Sequence, residues 1–206
     1  MVFYMTDNIK EVMNYDLGDK FQLEDLEQRK LYINYYIDES LLEEITYHIL
    51  RFNTEDKGKS VEERKPILLY CVSNGGSLAD GFGLIDIILN SKTPVYTINL
   101  AYNYSMCMLI FLSGHKRYAT QNATFLLHDG QNFMYNSMAK IRDAAKFQEQ
   151  QEERIKEYIL SRSSLTSKEY DEKYRMEWYM YSSEAKEKNF VDYIIGEENC
   201  SIDDII

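Results

Sequence analysis

Three short segments set a polar or titratable side chain where an apolar run breaks off. The first is SNGGS, residues 73 to 77, which leaves an apolar run and enters a helical pattern. Its glycines, Gly75 and Gly76, let main-chain N–H groups approach a ligand more closely than any Cβ would allow. Such donors at the start of a helix suit a developing oxyanion. An ordinary tight turn has the same composition. The second segment is NYSMCM, 103 to 108, where Ser105 lies between a strand-like run and an apolar helix. A nucleophile is exposed at such a junction, and a helix N-cap serine sits there too. Without a GxSxG elbow, residue type leaves both roles open. The third is LLHDG, 126 to 130, where His128 ends an apolar run just before a glycine turn. An imidazole there can titrate near neutrality and carry protons, or it can simply be a surface or core ring. His48, on an apolar helix face, and His115, in the GHKR turn, read as packing residues.

The elements that must position these groups follow from periodicity. RKLYINYYI predicts a short strand around 30 to 34, and DESLLEEITYHILRFN a helix opened by Asp38. That helix carries Leu41, Leu42, Ile45, His48, Ile49 and Phe52 at core-facing spacing. ILLYCV (67 to 72) and PVYTINL (94 to 100) are continuous apolar runs, as expected of strands buried on both faces. LADGFGLIDIILNS and SMCMLIFLSG follow them as helices, which is the alternation of a parallel sheet. RYATQNATFLLHDG supplies two more short strands. Residues 137 to 161 are rich in helix formers, without Gly or Pro, and predict one long helix. Its middle, KFQEQQEERIKE, is too polar to lie wholly on a core, so part of it must project into solvent or meet another subunit. Thr166 and Glu169 carry a capping-box signal, and SSEAKEKNFVDYI a helix turning into a last strand.

Composition bounds what the chain can do. With 206 residues, 45% hydrophobic and 28% charged, it fits one α/β domain with a full core. A net charge of −11 with dispersed lysines argues against a nucleic-acid partner. Cys71, Cys107 and Cys200 have no disulfide or zinc spacing, which suits a reducing cytoplasm, and no segment reads as a membrane span or leader.

Taken in order, the segments resemble the proteolytic subunits of Clp proteases. ILLYCVSNGGSLADG is similar to that family's Ser-Pro-Gly-Gly-Ser segment, and YNYSMCM to its nucleophile motif, in which Ser is followed by Met. KRYATQNATFLLHDG is similar to its Lys-Arg-Tyr, Asn-Ser and His-Gln-Pro run, and SSEAKEKNFVDYI to its Ser-Ala-Glu-Glu-Ala ending. The similarity spans about 29 to 195. It implies an α/β, crotonase-like (ClpP) fold of repeated β-β-α units with a long handle helix at about 137–161. Residues 1–28 would be an N-terminal arm and 196–206 a C-terminal tail.

The resemblance further implies a serine endopeptidase needing no metal or organic cofactor. Ser105 would be the nucleophile, His128 the general base, and the N–H groups of Gly76 and Met106 the oxyanion hole. Gly75, Gly76, Asp129 and Gly130 would hold an extended polypeptide substrate. Counting back without a gap from Glu184-Ala185, the family's triad Asp falls on Glu177, with Asp171 and Glu172 further from that register. The implied assembly is a homo-oligomer of stacked heptameric rings, with an AAA+ ATPase unfoldase as partner and neither nucleic acid nor membrane involved. Several residues depart from the family pattern: Asn74 replaces Pro, Asp129-Gly130 replaces Gln-Pro, and Cys107 stands where a small residue is usual. Tyr102 and Tyr104 flank Ser105 and are expected to narrow its site. Two other readings remain. A non-catalytic ring subunit modulating partner subunits is favoured by Glu177 and a polar arm, and a crotonase-type acyl-CoA enzyme shares the fold but has no use for the Ser–His pair.

Overall fold

Apolar runs alternating with amphipathic segments fold, in the computed structural model, into a mostly parallel sheet wrapped by helices. The structure describes residues 17–130, 135–197 and 199–206. Strand β1 (Lys30–Ile33) follows helix α1 (Leu17–Glu27). A π-helical turn at Leu42–Thr46 then leads into α2 (Tyr47–Glu55). Next come β2 (Ile67–Ser73), α3 (Leu78–Asn90), β3 (Val95–Tyr104), α4 (Met106–Leu112), β4 (Lys116–Thr120) and β5 (Thr124–Leu127). The chain closes with α5 (Met138–Ser161), α6 (Ser167–Lys173), β6 (Trp178–Tyr181), α7 (Ser182–Glu187), β7 (Tyr193–Ile195) and a 3₁₀ turn at Ile202–Ile205.

The sheet runs β1-β2-β3-β4-β7, all parallel. Strand β3 is ten residues long and serves two neighbours. Its first half pairs with β4 (Tyr96↔Lys116 to Asn99↔Ala119), and its second half with β5 (Tyr102↔Thr124 to Tyr104↔Leu126). One long strand thus does the work of two, which is how β-β-α units are read from an alternating β-α chain. A register shift between Cys71 and Ser73 lets β2 follow β3 through this change, and an Ile37↔Gly76 bridge extends the second layer.

The core is aliphatic and continuous. Ile33, Ile37, Ile67 and Leu69 from the sheet meet Leu84, Ile85 and Ile88 of α3 and all seven residues of α4, each of them buried. Burial on both faces explains the unbroken apolar runs of β2 and α4. In the α2 segment, Leu41, Ile45, Ile49 and Phe52 face this core, whereas Leu42, expected inside, is 49% exposed. Spacings of four, four and three residues make a narrow stripe, and Leu42 sits about 100° around the helix from it. Asp38, expected to open the helix, instead accepts the Ser40 N–H at 2.9 Å in the turn before it, and the N-cap is Leu41, without a side-chain bond.

One buried charge cluster pins the rim. Arg29 donates to both carboxylate oxygens of Asp56, with the Nη2–Oδ1 bond at 3.0 Å, and Thr93 and Lys59 donate to the same carboxylate. These donors, Arg29 foremost, hold the Asp56 carboxyl well below the usual range.

The ends of the chain are more structured than the sequence suggests. Of the arm, 1–16 lies outside the described residues, but 17–27 is helical, and Leu26 packs on the core. The C-terminal tail returns over the outer face of the sheet. Cys200 and Ile205 cover Leu68, Tyr70, Ile98 and Tyr118 there, and the Tyr70 hydroxyl donates to the Ile205 carbonyl. Among the described residues no helix is long and apolar enough to cross a membrane.

Candidate active site

Because β2, β3 and β5 are parallel, their C-terminal ends open on one edge, and the turns leaving them carry SNGGS, Ser105 and His128. Ser105 follows β3 directly and is the residue before the first turn of α4. Its backbone has φ 54 and ψ −127, and its side chain makes no capping bond. A capping serine would be extended and would accept an N–H of the next turn, so the N-cap reading does not apply here. A non-glycine residue in this region costs about 1–3 kcal/mol and persists only where its surroundings hold it. They do: the Ser105 N–H donates to the Leu126 carbonyl at 3.0 Å, and the Ser105 carbonyl accepts from Met108 at 3.0 Å.

Gly75 packs against this strained residue. A Cβ on Gly75 would fall 2.8 Å from the Ser105 Cβ and 2.9 Å from the Met106 nitrogen, and φ of 100 is itself a glycine conformation. Gly76 is held from the other side. Ile37 donates to the Gly75 carbonyl at 3.0 Å and accepts from the Ser77 N–H at 2.7 Å. This is the bonding of a parallel bridge, and it turns the Gly76 N–H to the opposite edge, the one facing the cleft that Gly76 and Ser105 line. Met106, in the first turn of α4, has no residue of that helix to which its N–H can donate. Gly76 and Met106 line the same cleft as Ser105.

The carboxylate beside His128 follows from strand register. β5 and β6 are antiparallel, pairing Leu127 with Trp178, so the next residues outward, His128 and Glu177, stand opposite each other. Directly opposed residues lie within side-chain reach, and the His128 Nδ1–Glu177 Oε1 distance is 3.0 Å. β6 is fixed by Trp178, whose Nε1–H donates to Glu184 at 3.0 Å, and by Ser182, whose hydroxyl donates to the Thr120 carbonyl at 2.7 Å. The contact is partly open to water, with Glu177 57% exposed and His128 19%. The other ring nitrogen, Nε2, is sealed from solvent and takes no hydrogen bond among the described residues. Ser105 and His128 thus line one cleft with no hydrogen bond between Nε2 and the Ser105 hydroxyl among the described residues, as is frequent before substrate arrives.

The cleft has a volume of about 580 Å³. Its floor is Met106, Leu109, Leu127 and Ile155, and one wall is a stripe of α5 formed by Gln148, Gln151 and Glu152. Gly130 lies on its border, while the Asp129 N–H is spent on the Tyr174 carbonyl at 2.8 Å. Asp171 and Glu172 are engaged elsewhere, with Lys156 at 2.8 Å and Lys168 at 3.8 Å. Tyr102 and Tyr104 do not narrow the site. Their rings are 5.2 Å apart, Tyr104 packs edge-on to Tyr179, and neither lines the cleft. His48 and His115 are packing residues. His48 lies on α2, where partial burial pulls its ring down, and His115 Nδ1 accepts the Val95 N–H at 3.1 Å. The three thiols are buried and unpaired, and burial pushes Cys71 up beside Cys107. The contributions of Ile37, Tyr174 and α5 carry no signal in the sequence, because each acts from far along the chain through main-chain contact or packing.

An imidazole backed by a carboxylate, a strained serine and the main chain of Gly76 and Met106 around one cleft can support acyl transfer. Comparison with known proteins agrees with a hydrolase of peptides. The family described as Clp protease matches residues 18–198, and this chain belongs to it. The parallel α/β head and long helix are consistent with that family's fold. Among curated relatives, proteolytic subunit 2 of the ATP-dependent Clp protease of Tropheryma whipplei (strain Twist) is 28% identical over 171 residues, covering 82% of this chain and 92% of the relative. Subunit 2 from Treponema pallidum (strain Nichols) is 25% identical over 172 residues, covering 82% and 83%. Subunit 1 from Shouchella clausii (strain KSM-K16) is 24% identical over 172 residues, covering 82% and 86%.

Proposed function

We propose that this chain is a serine endopeptidase subunit acting within a ring-shaped homo-oligomer, with Ser105, His128 and Glu177 as its triad. The observation that carries the reading is the 3.0 Å contact between His128 Nδ1 and Glu177, made by cross-strand register in the cleft that Ser105 lines. Ser105 Oγ adds to the peptide carbonyl while its proton passes to His128 Nε2, and the oxyanion takes the N–H groups of Gly76 and Met106. His128 then protonates the leaving amine. A water molecule, deprotonated by the same nitrogen, hydrolyses the acyl-serine. Glu177 holds the tautomer that leaves Nε2 free and stabilises the imidazolium. Substrate lies extended along Gly75-Gly76 and Asp129-Gly130, bound by its main chain.

The ring assembly draws on α5, whose first half projects from the head with Met138 66% and Phe147 61% exposed. Facing helices of two stacked heptameric rings would cover them. An AAA+ ATPase is the partner that would unfold and deliver substrate, and the compartment is the cytoplasm.

A second reading, a non-catalytic ring subunit, is favoured by the unmade Ser105–His128 bond and the exposure of Glu177. Fluorophosphonate labelling separates the two. Modification mapped to Ser105, and lost in Ser105→Ala, is expected of the peptidase, whereas an unlabelled protein of ring-sized mass by light scattering would establish the second reading. Peptide hydrolysis with and without an added AAA+ ATPase then tests the partner.

A further inference from the structure

The cleft beside Ser105 has both an apolar and a polar lining. Leu109, Leu127 and Ile155 are its apolar part. The polar part is α5, which supplies Gln151, Glu152 and Gln148; with Ile155 these recur at helical spacing and so form one stripe. Ile155 is buried, Gln151 and Gln148 are half-buried, and Glu152 stands exposed at the rim. One helical turn, about 5.4 Å, separates Ile155 from Gln151 and Glu152, and a second turn leads on to Gln148.

Glu152 also borders a neighbouring groove containing Asp129, Glu149, Glu153 and Asp171, with Lys156 and Arg175 as its cations. Asp171 binds Lys156 through both oxygens, at 2.8 and 3.0 Å. Arg175 is therefore left beside four carboxylates among the described residues of that groove. Tyr170, only 3% exposed, lies in the wall of the same groove with its ring stacked on Tyr174.

We propose that this cleft selects lysine or arginine at the residue whose carbonyl is attacked, with Glu152 as the specificity-determining carboxylate. The inference rests on the peptidase reading above and deepens it. A leucine side chain would end on Leu109 and Ile155 and leave the amides of Gln151 and Gln148 facing empty polar space. A lysine lays its four-carbon stem along that floor and brings the ammonium to Glu152 and Gln151. The negative rim draws cationic segments toward the cleft, in keeping with the net charge of −11.

The test uses peptidyl diphenyl phosphonates, which phosphonylate serine with loss of phenol. Three probes differ only at the residue next to phosphorus: lysine, norleucine and leucine. Norleucine keeps the lysine stem without its charge. Each labelling rate is normalised to that of a fluorophosphonate on the same protein. The lysine probe is expected to react about fivefold faster than the norleucine probe, as befits a partly exposed ion pair. Glu152→Gln should bring the two rates together and Glu152→Lys should reverse their order. High salt should shrink the wild-type ratio. Equal rates for lysine and norleucine in the wild type, or a ratio that Glu152→Gln leaves unmoved, overturns the proposal. Labelling of Ser105 by fluorophosphonate but by none of the peptide probes overturns it too, while sparing the peptidase reading. If fluorophosphonate also fails, both fall.

Discussion

Glu177→Gln separates orientation from charge in the proposed triad. A buried aspartate in this role is worth on the order of 10⁴ in kcat, largely because its amide replacement imposes the wrong histidine tautomer. Glu177 is 57% exposed, so a glutamine there is free to turn its carbonyl oxygen toward Nδ1–H. What is lost is the attraction between carboxylate and imidazolium. At a charge separation of about 4 Å this is roughly 4 kcal/mol at the effective dielectric of a protein surface and roughly 1 in water. Half-exposure places it between the two, at about 1–3 kcal/mol, or roughly 5- to 150-fold in kcat. Stability should move by less than about 0.5 kcal/mol, as for other exposed substitutions. The assay is steady-state hydrolysis of a fluorogenic peptide, with fluorophosphonate labelling of Ser105 as a second readout and thermal unfolding as the control. Glu177→Asp should also lose activity. The β5–β6 pairing fixes the backbone at Leu127↔Trp178, and one methylene fewer withdraws the carboxylate by about 1.5 Å, beyond hydrogen-bond range. A Gln variant with kcat within about threefold of wild type refutes the assignment and leaves a Ser–His dyad.

Ser105→Ala should abolish labelling and hydrolysis with unfolding midpoint and assembly mass unchanged, because the hydroxyl makes no capping bond. Ser105→Gly should do the same and raise stability by about 1 kcal/mol in denaturant titration, since glycine relieves the strain at φ 54. Gly75→Ala should cut the labelling rate at Ser105 at least about tenfold, because its Cβ would lie 2.8 Å from that of Ser105 and the nucleophile must shift. Asp56→Asn should cost about 3 kcal/mol by removing the buried carboxylate that Arg29 pairs with, leaving that guanidinium Glu55 at 3.6 Å and the Lys65 carbonyl at 2.9 Å among the described residues. The Asp56 carboxyl titrates lower in the folded chain than in the unfolded one. Its contribution is therefore present above about pH 4 and lost as pH falls through the folded value, so the variant should show a shallower loss of stability below pH 4 in acid titration. Phe147→Asp should lower the assembly mass by light scattering if α5 joins two rings, and an unchanged mass would remove that helix from the interface.

Local pattern carried most of the architecture. Continuous apolar runs locate β2 and β3 because a strand covered on both faces has no polar side to display, and the Gly-free, Pro-free stretch up to Ser161 could be little but one helix. Thr166 and Glu169 foretell their capping box for a similar reason, since both partners lie within one turn. What escapes such reading is whatever depends on separation in the chain. The helix at Leu17–Glu27 has no strong apolar period of its own, and the tail gains its structure only against Tyr70 and Tyr118. The site divides along the same line. Sequence alone set the residue types at Ser105, His128 and Gly75-Gly76, because their roles need a hydroxyl, an imidazole and the absence of a Cβ. Only the tertiary structure decided that the Ser105 side chain does not cap its helix, that Glu177, which the family register had already favoured over Asp171 and Glu172, comes into contact with His128, and that α5 walls the cleft. Those outcomes rest on backbone strain, on a cross-strand register 49 residues apart in sequence and on the packing of Ile155, none of which a linear pattern encodes.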